Sequence, residues 1–258
     1  MNGLKNCTFI IPFRIDCPER QRNLSFVLHW LAHIDAKIAL IEADTISRID
    51  KTSFTENISY RFVEDHNPIF HRTHYINTLL EQSNTDVVSI WDADIVTKYE
   101  QIEEAVQNIM KGNTLTYPYH KECIMLSPED TEKFLKTEDF TCINHQESHP
   151  IINRTFCGGA FFVNRQKYLS LGGENEHFIG WGPEDAERLR RVQIMKHPIK
   201  WTVKGNAYHL YHPRNENSRF FDEKTAIELR KEFVKICCMN KKELHEYIKT
   251  SLNLKQSI

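Results

Sequence analysis

The chain has 258 residues, enough for one large α/β domain or two small ones. Its 33 Lys and Arg nearly balance 35 Asp and Glu, and the resulting formal charge of −2 gives no electrostatic reason to expect nucleic-acid binding. No run of eighteen apolar residues could span a bilayer, no signal-peptide layout opens the chain, and seven cysteines without CxxC spacing point to a reducing cytoplasm and away from a structural zinc module.

Residues 8–13 (Thr-Phe-Ile-Ile-Pro-Phe) form a continuous apolar run, expected as a strand buried on both faces. Leu24, Val27, Leu28 and Leu31 then recur at helical spacing up to about Ile34. Residues 37–43 read as a second buried strand, ending beside Glu42 and Asp44, and 58–63 as a third. Residues 73–82 read as a helix, and 86–91 as another buried strand running into Asp92-Ala93-Asp94. Such alternation predicts an α/β fold with a mostly parallel sheet, in which ligands bind beyond the carboxyl ends of the strands. Pro12, Phe13, Arg14, Glu42, Asp92 and Asp94 all fall at such ends, which makes them site candidates, Glu42 among those expected to bind the donor nucleotide.

Residues 121–153 are polar and aperiodic, expected as a long loop with one short helix over 128–136. Residues 157–164 begin with Gly158-Gly159 and continue as a strand. Pro183 suits the first helical position, with Glu184, Asp185 and Glu187 as an acidic first turn. Residues 201–211 read as one strand leading into His209-Leu210-Tyr211-His212, and 222–252 as amphipathic helices broken near Asn240. The expected organisation is one domain over 1–221, with a nucleotide-binding half (1–97) and a sugar and acceptor half (98–221), followed by a helical tail over 222–258.

Two acidic motifs beside tryptophans, Trp91-Asp92-Ala93-Asp94 and Trp181-Gly182-Pro183-Glu184-Asp185, carry the chemistry. A nucleoside diphosphate becomes a good leaving group once a divalent cation neutralises it. On an extended backbone Asp92 and Asp94 would point the same way, one to the metal and the other to the donor sugar or ribose. His209 and His212 have the spacing to share that metal, and imidazole with carboxylate favours Mn²⁺ over Mg²⁺. One of Glu184 and Asp185 would act as general base on an acceptor hydroxyl. The competing reading is local: first-turn acids favour the helix dipole without any function. Likewise Gly158-Gly159 is either a tight strand entry or a place where a sugar meets the backbone.

Together these residues resemble the β1,4-galactosyltransferases and related chondroitin-type polymerases, inverting enzymes with the GT-A fold. The likeness lies in Ile10-Ile11-Pro12-Phe13-Arg14, Phe70-His71-Arg72 with Asn77, Asp92-Ala93-Asp94, Phe156-Cys157-Gly158-Gly159, Gly180-Trp181-Gly182-Pro183-Glu184-Asp185 and His209-x-x-His212. Pro183 stands where a glycine is frequent, and Cys157 interrupts a Phe-Gly-Gly pattern. The resemblance implies Mn²⁺ (or Mg²⁺) on Asp94, His209 and His212, and Asp185 as the base. It implies sugar contacts from Trp181, Gly182 and Glu184. Donor contacts would come from Pro12, Phe13, Arg14, Arg20 (or Arg22), Arg72, Asp92 and Gly159, with Arg14 helping to stabilise the departing diphosphate. The donor expected is a UDP-sugar, galactose-type first, and the acceptor a glycan or lipid-linked glycan. The expected location is the cytoplasm, with peripheral contact to the inner membrane face. The alternatives are a retaining N-acetylgalactosaminyltransferase-like enzyme, a non-catalytic nucleotide-sugar-binding protein, or a metal-dependent hydrolase.

Overall fold

A computed structural model of the protein describes residues 4–252; the outer ends of both expected domains, 1–3 and 253–258, lie outside the described residues. Strand β1 (Cys7–Phe13) is buried at every position, as its apolar run requires. It pairs in parallel with β2 (Lys37–Asp44) on one side and β4 (Val87–Trp91) on the other, so Ile10 lies opposite both Ala39 and Ile90. β3 (Ile58–Glu64) extends the sheet in parallel at one edge. On the other side come β9 (Ala160–Asn164), β6 (Leu115–Tyr117) and β10 (Ile199–Trp201), giving the order β10-β6-β9-β4-β1-β2-β3. β9 alone runs antiparallel, between β4 and β6, so its start reaches the same edge as the carboxyl ends of β1 and β4. Phe9, Trp91 and Phe162 meet edge-on in the core with ring centroids 5.4 to 6.1 Å apart.

Helices α2 (Arg72–Gln82), α3 (Tyr99–Met110) and α5 (Arg165–Ser170) cover this sheet, while α1 (Pro18–Ala32) packs near the short strand that follows β4. In α3, Ile102, Ala105, Val106 and Ile109 form the buried stripe. A second, four-stranded sheet combines β5 (Ile95–Val96), β11 (Ala207–His209), β7 (Cys123–Met125) and β8 (His149–Pro150). The expected loop over 121–153 therefore contributes two strands to a sheet, and its helix, α4, spans Pro128–Thr137. The expected single strand over 201–211 is in fact β10 and β11, parted at Gly205 (φ +91°) and assigned to different sheets. Pro183 caps α6 (Glu184–Ile194) from one position outside it, with φ −85° and ψ 25°. The tail folds as α7 (Glu223–Cys237) and α8 (Lys241–Tyr247), burying Leu229, Ile236, Leu244 and Tyr247, and α7 packs along α6.

Candidate active site

A cleft of about 660 Å³ opens where β1 and β4 end and β9 begins. Pro12, Phe13, Arg14, Arg20, Arg72, Asp92, Asp94, Gly159, Trp181, Gly182, Glu184, Asp185, His209 and His212 all line it. Glu42 does not. It is fully buried, and its carboxylate accepts from Ser47 Oγ, the Arg48 amide and the Tyr60 hydroxyl, which ties down the loop after β2. Arg14 faces the cleft with its guanidinium engaged elsewhere. It donates to the carbonyls of Ala43 (2.7 Å) and Asn67 (2.8 Å) and to Asp65 (2.8 Å), binding the ends of β2 and β3 together. Arg22 pairs with Glu132 on α4 and is not among the cleft-lining residues.

Asp92-Ala93-Asp94 forms a turn between β4 and β5 instead of the expected extended segment, and the two carboxylates take different partners. Asp92 accepts from Arg72 Nε at 3.1 Å and also pairs with Nη2, while its amide donates to Gly159 O at 2.8 Å. Burial raises the Asp92 carboxyl, against Arg72, and the charges of Asp94 and Asp185 add to the rise. Asp94 turns the other way, toward β11, because Leu210 N donates to Asp94 O (2.8 Å) and His209 sits opposite Ile95 in the small sheet.

Asp94, His209 and His212 each offer one ligand atom, all within 4.8 Å of one another. His209 Nδ1 lies 2.9 Å from Leu210 O, and His212 Nδ1 lies 2.8 Å from Pro213 O. A ring nitrogen at that distance from a carbonyl is an N–H donor, so the neutral rings carry their lone pairs on Nε2. Those Nε2 atoms stand 3.5 and 3.1 Å from the two Asp94 oxygens. Lone pairs facing an anionic oxygen repel unless a cation lies among them, so the donor set fits a divalent metal, and the carbonyl anchors supply the usual outer-shell orientation. Arg20 Nη2 makes a longer contact of 3.4 Å with His212 Nδ1. Burial would raise the Asp94 carboxyl, but the positive charge of His209 and His212 when protonated, together with Arg20, outweighs it and holds it far below the ordinary carboxylate range; a divalent cation at the same point would act in the same direction. Burial lowers the His209 imidazole, with Asp94 opposing, which favours the neutral ligand form.

Elsewhere along the cleft, Gly180 (φ +74°) turns the chain so that Trp181 stands 45% exposed over the opening, edge-on to Phe220 at 4.8 Å. Glu184 and Asp185 start α6. Asp185 Oδ1 is 2.8 Å from Arg188 Nη2, near enough to pair yet not aligned for a hydrogen bond, and its side chain stays about a third exposed (32%). A Cβ on Gly158 would overlap Asp185 Oδ2, so that position must be glycine for the carboxylate to sit against the backbone. Glu184 has a buried, unpartnered Oε2; burial and the Asp185 charge push its carboxyl up to about 8. Below them Arg188, fully buried, pairs with both oxygens of Glu174 (2.7 and 3.0 Å) and covers the Phe161 ring at 3.8 Å.

Sequence reasoning missed Arg154, Arg214, Arg219, Phe220, Phe221, Arg230 and Phe233, all of which line the cleft. The basic and aromatic run Arg219-Phe220-Phe221, soon after His212, was the available signal.

The architecture is that of the GT-A glycosyltransferases. A Drosophila β1,4-galactosyltransferase 7 mutant, solved with manganese, UDP-Gal and xylobiose, superposes with a TM-score of 0.52 at 15% identity over 93% of this chain and 78% of that one. GalNAc-T7, solved with UDP, GalNAc and Mn²⁺, gives a TM-score of 0.59 at 15% identity over 98% of this chain and 52% of that one. Residues 138–213 match the family described as N-terminal domain of galactosyltransferase. The β-1,4-galactosyltransferases 7 of Mus musculus and Homo sapiens are each 28% identical to this chain over 127 residues. That stretch is 48% of this chain, which spans only 30% of the length of those relatives. Among the described residues, no helix is long and apolar enough to cross a membrane.

Proposed function

We propose that the protein is an inverting, metal-dependent glycosyltransferase that moves a hexose or N-acetylhexosamine from a UDP-sugar to a glycan hydroxyl. One observation carries the reading: a cation-ready Asp94–His209–His212 set and a half-open carboxylate, Asp185, line the same cleft. The manganese and UDP-Gal held by the Drosophila structure make Mn²⁺ the metal and UDP-galactose the donor to test first. Asp94, His209 and His212 would hold the metal, which supplies charge neutralisation for a diphosphate leaving group.

The remaining chemistry belongs to the side chains. Asp185 Oδ2, pressed against Gly158, accepts the proton of the acceptor hydroxyl while that oxygen bonds to the anomeric carbon. The bond from the anomeric carbon to the diphosphate breaks on the opposite face, so the configuration inverts. Arg188, with Nη2 2.8 Å from Asp185 Oδ1, holds that carboxylate in place. Arg72 orients Asp92 toward the donor, and Trp181 offers a ring face to a sugar.

Calorimetric titration with UDP, in Mn²⁺ and then in EDTA, tests the donor half. The expected result is metal-dependent binding that disappears in Asp94→Ala. Absence of UDP binding under both conditions would overturn the reading.

A further inference from the structure

Three of the cleft's arginines have carboxylate partners: Arg14 with Asp65, Arg20 with Asp16 and Asp94, and Arg72 with Asp92. Arg154, Arg214, Arg219 and Arg230 line the same cleft, and among the described residues none of these four has a carboxylate within ion-pair distance. Glu216 also lines the cleft without an ion-pair partner among the described residues and offsets one of the four; the rest of their charge is surplus to the nucleotide. A diphosphate brings about two negative charges, and a divalent metal cancels about as much. A cleft serving a UDP-sugar and a neutral acceptor has no use for the remainder.

Two of the four belong with the Asp185 end of the cleft. Arg230 lies 4.8 Å above the Phe220 ring, and Phe220 in turn meets Trp181, three residues before Glu184. Arg154 precedes the Phe156-Cys157-Gly158 turn that abuts Asp185, and its charge is felt at Cys157 together with those of Asp185, Arg188 and Glu184. Both residues are exposed, so each can offer paired N–H donors to a planar carboxylate or a phosphate.

We infer that the acceptor is an anionic glycan, with a carboxylate or phosphate on or beside the acceptor sugar held by Arg154 and Arg230 while its hydroxyl faces Asp185. This rests on the transferase reading for the role of Asp185, but the binding itself is separable from it. Arg230 then makes helix α7 part of the substrate site, a role in specificity that the Trp181 motif alone does not provide.

The test compares three matched probes on the full chain, with and without excess UDP and Mn²⁺: a methyl hexoside, its uronic acid and its 6-phosphate, each titrated by calorimetry or ligand-observed NMR. At least one anionic probe is expected to bind about tenfold or more tightly than the neutral one. In Arg154→Gln/Arg230→Gln that preference collapses to parity while the affinity for UDP–Mn²⁺ is retained. The better of the two anionic probes tells carboxylate from phosphate. Equal affinity for all three probes, or a preference that survives the double variant, overturns the inference. UDP–Mn²⁺ binding without anionic preference sinks this proposal and spares the transferase reading. Anionic preference without any UDP–Mn²⁺ binding does the reverse.

Discussion

At the scale of single residues, the proposed reaction separates atoms that bind from atoms that react. On that proposal Asp185→Asn removes the proton acceptor and little volume, so transfer should fall about 10²–10⁴-fold with UDP–Mn²⁺ affinity kept. Steady-state rates beside calorimetry check it, and an equal loss of both would remove Asp185 from the base role. Gly158→Ala is expected to act at the same step without touching the carboxylate chemically, since the new methyl displaces Oδ2. Its signature is a lower kcat at nearly unchanged donor KM. The Asp92 and Asp94 positions were legible as a pair because they follow a buried strand, yet their divergence was not. Backbone alternation says where extended residues point, whereas this turn is dictated by Gly159 and Leu210, partners far along the chain. Glu42 misled for a similar reason: it ends a strand, as ligand-binding acids do, but Tyr60 from the neighbouring strand captures it.

Among elements, α6 stands on a buried ion pair. Breaking such a pair by removing one partner costs about 3–5 kcal/mol, so Arg188→Met should lower the urea midpoint markedly as well as release Asp185. Glu174, within that pair, would be raised by burial, but Arg188 and the Tyr168 hydroxyl hold it down to about 2. A carboxyl depressed in the folded state stabilises fully above its unfolded value near 4.5 and loses that contribution as pH falls through 2. The stake is roughly 3 kcal/mol, lost between about pH 4.5 and pH 2, and Glu174→Gln should flatten that window in acid unfolding followed by circular dichroism. Long buried strands and strongly periodic helices were readable from the sequence. The two- and three-residue strands of the small sheet were not, because they are too short to show a period and are held by pairing across the fold. Gly205 was the available signal for the break between β10 and β11, and the reading of 201–211 as one strand passed over it.

For the whole molecule, the C-terminal helices belong to the body of the protein as much as to its edge. Leu229, Ile236, Leu244, Tyr247 and Ile248 are buried, and each such side chain contributes about 1.5–3 kcal/mol. Together they rival the entire net stability of a typical domain, roughly 5–15 kcal/mol. A chain ending at Phe221 should therefore lose cooperative thermal unfolding, and with it the Arg230 and Phe233 side of the cleft. A sharp transition at unchanged temperature in the truncated chain would show that the tail is dispensable.

The lone antiparallel strand has one more implication. β6 departs from the sheet at Tyr117 and β9 re-enters beside it at Ala160, so everything between starts and finishes at the cleft edge. That interval carries Ile151, Ile152, Arg154 and Phe156 into the site. It is clipped to the main sheet at these two ends and anchored in between by β7, which pairs with β11, the strand that carries His209. Exchanging it for the corresponding stretch of a relative is expected to retune substrate choice with the main sheet's pairing unchanged, provided the new stretch keeps a strand in the place of β7 beside β11.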